Sequence, residues 1–227
     1  MIYFISDVHL GFFERSADSQ REQLLINFLK KISNNCSKLY IVGDLFDFWF
    51  EYKTVIPKYF YRILSTLYDL RNRGIEIDYI MGNHDFGHID FFKKELDIQV
   101  YPDDIERIHS DKKFYISHGD GKTIYDGPYN VLKKILRSPV SLKLYLKLHP
   151  NTGIKLASNT SKKSRNYTQK KDYGEVEGME DFAFKKIDEG FDYVVMGHRH
   201  LAKFIEHKLG VYVNLGEIGR ASCRERV

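Results

Sequence analysis

Brief apolar runs alternate with longer stretches of helical spacing along this chain. Residues 2–6, 39–42, 75–81, 114–117 and 193–196 are runs of the buried-strand kind, short and rich in Ile, Val, Tyr and Phe. Between them, residues 21–32 place Leu24, Leu25, Phe28, Leu29 and Ile32 at helical spacing. Residues 57–72 repeat the pattern with Tyr61, Ile63, Leu64, Leu67 and Leu70, and Gly74 marks the stop. Residues 203–207 and 210–214 read as a hairpin or meander. Strands alternating with helices predict an α/β fold, and 227 residues suit one domain, here residues 1–216, that carries an insertion.

The ends of the apolar runs share a chemistry. Five clusters follow in order: Asp7-x-His9, Gly43-Asp44-x-x-Asp47, Gly82-Asn83-His84-Asp85, His118-Gly119-Asp120 and Gly197-His198-x-His200. Taken singly, each reads as a turn, a helix cap or a structural histidine. Taken together they place carboxylate, imidazole and amide ligands, without thiolate, beyond several strand ends, where α/β folds build their sites. That pattern points to a two-metal hydrolase. Two divalent cations about 3.5–4 Å apart share a water, lower its pKa and neutralise phosphate oxygens, so no side-chain nucleophile is needed. Asn83 limits the negative charge of such a site. His84 is expected to hydrogen-bond the phosphate or protonate the leaving oxygen, with Asp85 orienting it, against a purely structural role.

Composition matters through its unevenness. The net charge is +4, yet residues 127–171 hold eleven Lys or Arg and no Asp or Glu, which leaves 24 basic against 31 acidic residues elsewhere. Within residues 122–172, predicted to be an inserted cap, the basic residues interleave with Val131, Leu132, Ile135, Leu136, Leu142, Leu144 and Leu146. These make short amphipathic helices broken by Pro139. An anionic membrane surface or lipid suits that mixture; nucleic acid suits it less, and a helical pair packed on the core is the plainer alternative. Two cysteines, Cys36 and Cys223, give neither a disulfide framework nor a zinc spacing. No signal peptide is legible and no apolar stretch approaches the ~20 residues of a membrane span, so a cytoplasmic protein is expected. Residues 217–227, EIGRASCRERV, lack periodicity and read as a translated sequencing adapter, with a natural chain that continues past Gly216.

The five motifs resemble those of the calcineurin-like metallophosphoesterases. The resemblance implies a four-layer α/β/β/α sandwich, with one metal held by Asp7, His9 and His200, the other by Asn83, His118 and His198, and Asp44 between them. Within that group the chain resembles the UDP-2,3-diacylglucosamine diphosphatases of lipid A biosynthesis, through Asp7-Val8-His9-Leu10-Gly11, the run from Gly43 to Trp49, Asp126-Gly127-x-Tyr129 after His118-Gly119-Asp120, and the helical insertion before Gly197. It implies two divalent ions, Mn²⁺ foremost, a nucleotide-lipid substrate, and a peripheral place on the cytoplasmic face of the inner membrane. It also implies substrate contacts from Asn83, His84, Asp126, Tyr129, Ser164, Thr168 and Lys171. The best-known diphosphatases carry Arg where this chain has His84.

Overall fold

The structure, a computed structural model, describes residues 1–122, 127–168 and 178–217, without the side chains of Pro128 and residues 162–168. Two sheets form its frame. The first holds the strands β1 (Ile2–Ile5), β2 (Lys38–Val42), β3 (Glu76–Ile80) and β4 (Gln99–Tyr101), all parallel and in that order. The second has the order β5 (Ile105–His109), β6 (Lys112–Ser117), β7 (Tyr193–Met196), β9 (Gly210–Asn214) and β8 (Lys203–His207), with β6, β7 and β9 parallel.

The period of two along each strand makes the layers. Leu39 and Ile41 turn outward from β2 with Ile77 and Tyr79 of β3, and bury against the helices α1 (Arg15–Ile32), α2 (Tyr61–Asn72) and α3 (Phe91–Glu95). Tyr40, Val42 and Ile80 turn the other way and meet Phe114, Ile116 and Val195 of the second sheet. Tyr115, Val194 and Met196 then face Met179, Ala183 and Ile187 of a helix that spans Gly178–Asp188. The result is the α/β/β/α sandwich. Every parallel strand of either sheet therefore ends at the same edge, which gathers the five polar loops.

The cap segment supplies α4 (Gly127–Leu136), α5 (Pro139–Tyr145) and α6 (Pro150–Thr168), and Gly178–Asp188 is α7. Pro139 opens α5 rather than interrupting a helix: it stands at the first turn, where its missing N–H costs nothing, and Ser138 caps the turn by accepting from the Ser141 N–H at 3.2 Å. Of the predicted elements, α1 begins six residues before the expected start at Arg21. Its first turns are polar and carry no apolar signal; Asp18 there accepts from the Gly11 and Phe13 N–H groups at 2.9 and 3.2 Å. Strand β5 escaped the pattern because Ile108 points to solvent while Arg107 and His109 lie on the half-buried side. No helix among the described residues is long and apolar enough to cross a membrane.

Candidate metal centre

The first two loops are zipped together by backbone. The Asp7 and His9 N–H groups donate to the Gly43 and Asp44 carbonyls at 3.2 and 3.0 Å, and Asp47 N–H returns to the Leu10 carbonyl at 2.9 Å. This brings Asp7, His9 and Asp44 under one another at the sheet edge. Asp7, His9, Asp44, His198 and His200 all take positive φ, between 51° and 72°. Left-handed backbone at five non-glycine positions costs about 1 kcal/mol or more each and persists where the surroundings dictate it. Gly82 must be glycine: a methyl group there would run into the Asp44 carboxylate and backbone.

The side chains fall into two sets. His9 Nε2 lies 3.2 Å from His200 Nε2, and Asp7 Oδ1 lies 3.8 and 3.6 Å from those two nitrogens. Asn83 Oδ1 lies 3.0 Å from His118 Nε2 and 2.9 Å from His198 Nδ1. Asp44 stands between them, its Oδ2 at 3.7 Å from His9 Nε2 and 3.3 Å from His118 Nε2. Potential ligand atoms of Asp7, His9 and His200, and those of Asp7, Asp44 and His118, each gather within 4.8 Å of one another. All seven predicted ligands are thus brought to one edge. Acceptor atoms that converge from separate loops around Asn83 and between the His9 and His200 rings are what a divalent cation satisfies, and the O/N donor set suits Mn²⁺, Fe²⁺, Mg²⁺ or Zn²⁺.

Protonation follows from this crowding. Burial disfavours the charged form of Asp44, but His118, His84 and His9 outweigh it and hold its carboxyl well below the usual range. Burial pulls His118 down; Asp44, Asp7 and Asp120 overcome it and raise its pKa to about 10. Its Nδ1–H donates to the Val42 carbonyl at 2.9 Å, so the second proton sits on Nε2, facing Asn83 and Asp44, where a cation would replace it. His198 is lowered to about 4 by burial and then by the His118 charge, which leaves the neutral imidazole that metals take.

His84 and Asp85 part company. His84 N–H donates to Asp44 Oδ1 at 2.9 Å, while its Nδ1 lies 2.9 Å from Ser161 Oγ and 3.6 Å from Asp47 Oδ1. Asp85 accepts from the Gly82 N–H at 2.9 Å, the Phe46 N–H at 3.3 Å and the Tyr79 hydroxyl. Where Asp85 was expected to orient His84, Asp47 and Ser161 stand beside His84 Nδ1, and Asp85 is fully buried beneath the loop and braces its backbone. Tyr129 donates its hydroxyl to Asp120 at 3.0 Å. Ser164 and Thr168 lie on α6 with side chains outside the described residues, and Asp126 and Lys171 lie outside them altogether.

Two contributors went unread in the sequence. Glu217, where the adapter-like tail was expected to begin, is buried; its Oε2 lies 3.2 Å from His200 Nδ1 and its Oε1 accepts from Arg21 at 2.9 Å. Burial raises its pKa, and His200 and Arg21 together bring it to about 2. Residues 218–227 lie outside the described residues. The signal was present: Leu215-Gly216-Glu217, just past a strand, repeats the apolar, glycine, acid order of Val42-Gly43-Asp44. Ser161 had no such signal, being one serine of several on α6.

Comparison with known proteins agrees with this geometry. The calcineurin-like phosphoesterase family matches residues 1–202. Similar curated proteins include the UDP-2,3-diacylglucosamine hydrolases of Porphyromonas gingivalis, 33% identical over 217 residues (88% of this chain, 83% of the relative), and of Haemophilus influenzae, 29% identical over 202 residues (87% and 82%). That of Pectobacterium carotovorum is 27% identical over 214 residues (94% and 85%). With a family match that runs through all five ligand loops, the chain belongs to the calcineurin-like phosphoesterases, as a relative of their UDP-2,3-diacylglucosamine hydrolases.

Proposed function

We propose that this hydrolase uses two divalent ions, Mn²⁺ foremost, to cleave the pyrophosphate of UDP-2,3-diacylglucosamine, releasing UMP and 2,3-diacylglucosamine 1-phosphate. The observation that carries the reading is the pair of ligand sets sharing Asp44 next to an apolar cleft of about 910 Å³, which lies between α1, the segment 55–60 and α6. Leu10, Phe48, Ile56, Phe60 and Ile154 line it, and Leu10 and Phe48 adjoin His9 and Asp47, so acyl chains in the cleft keep the head group at the metal loops. Asp7, His9 and His200 would hold one ion and Asn83, His118 and His198 the other, with Asp44 common to both. Bound there, the ions supply Lewis-acid activation of water and neutralise non-bridging phosphate oxygens. His84, oriented by Asp47 and Ser161, is the residue set to hydrogen-bond the phosphate or protonate the leaving oxygen.

The same chain chemistry favours an anionic membrane surface as partner. On α4 the amphipathic pattern is inverted: Val131 and Ile135 are 59% and 57% exposed, while Lys133, with Arg137 just past the helix end, turns inward. A helix merely packed on the core would bury those apolar residues; one that meets lipid leaves them out. Leu132→Ser with Leu136→Ser is expected to weaken binding to phosphatidylglycerol vesicles by about tenfold or more at an unchanged thermal midpoint. Undiminished binding would return α4–α6 to the role of helices packed on the core.

His84, where the best-known diphosphatases have Arg, favours a second reading as a phosphoesterase of another substrate. Acyl dependence separates the two. UDP-2,3-diacylglucosamine is expected to exceed UDP-N-acetylglucosamine by about 100-fold or more in kcat/KM, since each buried CH₂ contributes about 0.8 kcal/mol. Equal turnover of both would remove the lipid substrate.

A further inference from the structure

We propose that Arg137 is a positioning residue that couples the cap to the metal centre, as the end of a latch that the inward face of α4 closes on Asp120 and on the Gly82–Asn83 peptide. The inference rests on the two-metal reading above and extends it to how the Asn83 side of the centre is held.

Tyr129, Lys133 and Arg137 are spaced four residues apart, so they share one stripe of the helix and its last turn. All three reach the same carboxylate. Tyr129 Oη lies 3.0 Å, Lys133 Nζ 2.7 Å and Arg137 Nη2 3.5 Å from Asp120 Oδ2, and Asp120 is 5% exposed. Arg137 does more than its neighbours. Its Nη2 donates to the Gly82 carbonyl at 2.8 Å, its Nη1 donates to the Pro102 carbonyl at 3.4 Å, and its guanidinium lies 5.5 Å from the centre of the Phe86 ring.

The places it touches define its role. Asp120 is two residues past His118, and Gly82 is one before Asn83; the side chains of His118 and Asn83 meet at 3.0 Å. One guanidinium therefore spans both loops that carry this half of the centre. The planar guanidinium holds the Gly82 and Pro102 carbonyls and the Asp120 carboxylate through donors fixed in one plane on two nitrogens, whereas a lysine ammonium offers its three donors from one freely rotating atom and does not fix that geometry. The direction of α4 supports the same conclusion, since the helix exposes Val131, Leu132, Ile135 and Leu136 in order to keep the polar stripe inside. When the cap is seated, the Gly82–Asn83 peptide is fixed; when it lifts, that peptide loses its outer hydrogen bond.

Arg137→Ala and Arg137→Lys test this on the full chain. Calorimetric titration with Mn²⁺ is expected to show the weaker of the two binding steps loosened by about 10- to 100-fold in both variants, the usual effect of losing a group that orients a ligand. For bis(p-nitrophenyl) phosphate, a diester that needs no lipid cleft, kcat should fall while KM stays near the wild-type value. Added methylguanidinium should restore part of the Mn²⁺ affinity and kcat of Arg137→Ala. Unchanged affinity for both ions, or a loss that guanidinium does not repair, would overturn the latch. Should Arg137→Ala fold poorly, Arg137→Lys is judged by affinity and by the kcat-against-KM split alone. Failure on the nucleotide-lipid with intact diester cleavage strikes the substrate reading, and the latch is decided by these measurements regardless.

Discussion

Asp44→Ala is expected to lower kcat by about 1,000-fold or more, on the scale of several kcal/mol of transition-state stabilisation at about 1.4 kcal/mol per tenfold. It should also cut Mn²⁺ binding from two ions to at most one. The magnitude follows from position. Asp44 lies within 4 Å of both His9 and His118, and its other oxygen accepts the His84 N–H at 2.9 Å. Its removal takes a negative charge out of a buried cluster of histidines and frees the backbone of the loop that bears Asn83. Asp44→Asn keeps the shape and a neutral oxygen, so its loss should be smaller for binding than for turnover. Calorimetry with Mn²⁺ beside a diester assay measures both, and wild-type turnover in Asp44→Ala would remove the two-metal centre.

The second large effect is on stability and acid tolerance, at Glu51. This carboxylate is 2% exposed. Its Oε2 accepts the N–H groups of Ile89, Asp90 and Phe91 at 2.8, 2.7 and 2.9 Å, and its Oε1 accepts the indole N–H of Trp49 at 3.0 Å. It therefore caps the start of α3 and ties down the far end of the loop that begins at Gly82. Burial raises its pKa, but His88, these backbone donors and Trp49 bring it from 4.5 to about 2. Because the folded value is the lower one, its stabilisation is complete above the unfolded pKa and is lost as pH falls through the folded value. The shift corresponds to about 3 kcal/mol, shed between about pH 4.5 and 2. Glu51→Ala leaves four N–H groups, three of the backbone and the Trp49 indole, without that acceptor and should lower the thermal midpoint at neutral pH by about 6–12 °C. It should also flatten the acid limb of the stability curve, and a variant as acid-sensitive as wild type would show that Glu51 carries none of it.

The frame and the candidate ligand cluster were legible in the sequence for a common reason. Buried strands such as Leu39–Val42 need apolar residues on both faces, and parallel strands deliver their polar ends to one edge, so the five motifs were expected to meet there. What lay hidden depended on which way a side chain turns. The apolar residues of the predicted cap left open a face toward lipid and a face packed on the core, and which stripe turns to the site, the one through Lys133 and Arg137, was not legible from them. Asp85 stood beside a functional histidine in sequence, yet a tight turn sends adjacent side chains in different directions, and Asp47 from another loop took its place beside His84. Glu217 was masked by the unpatterned residues that follow it, although it stands in the loop just past β9 as Asp44 stands in the loop just past β2.

One measurement bears on the whole proposal: UMP release from UDP-2,3-diacylglucosamine by chelator-treated protein as Mn²⁺ is returned stepwise. The expected result is no turnover without metal, UMP and 2,3-diacylglucosamine 1-phosphate in equal amounts once metal is restored, and full activity only after the second equivalent is bound. Release of UMP that persists in chelator, or a metal-restored protein that cleaves aryl phosphodiesters and leaves the nucleotide-lipid intact, would contradict it.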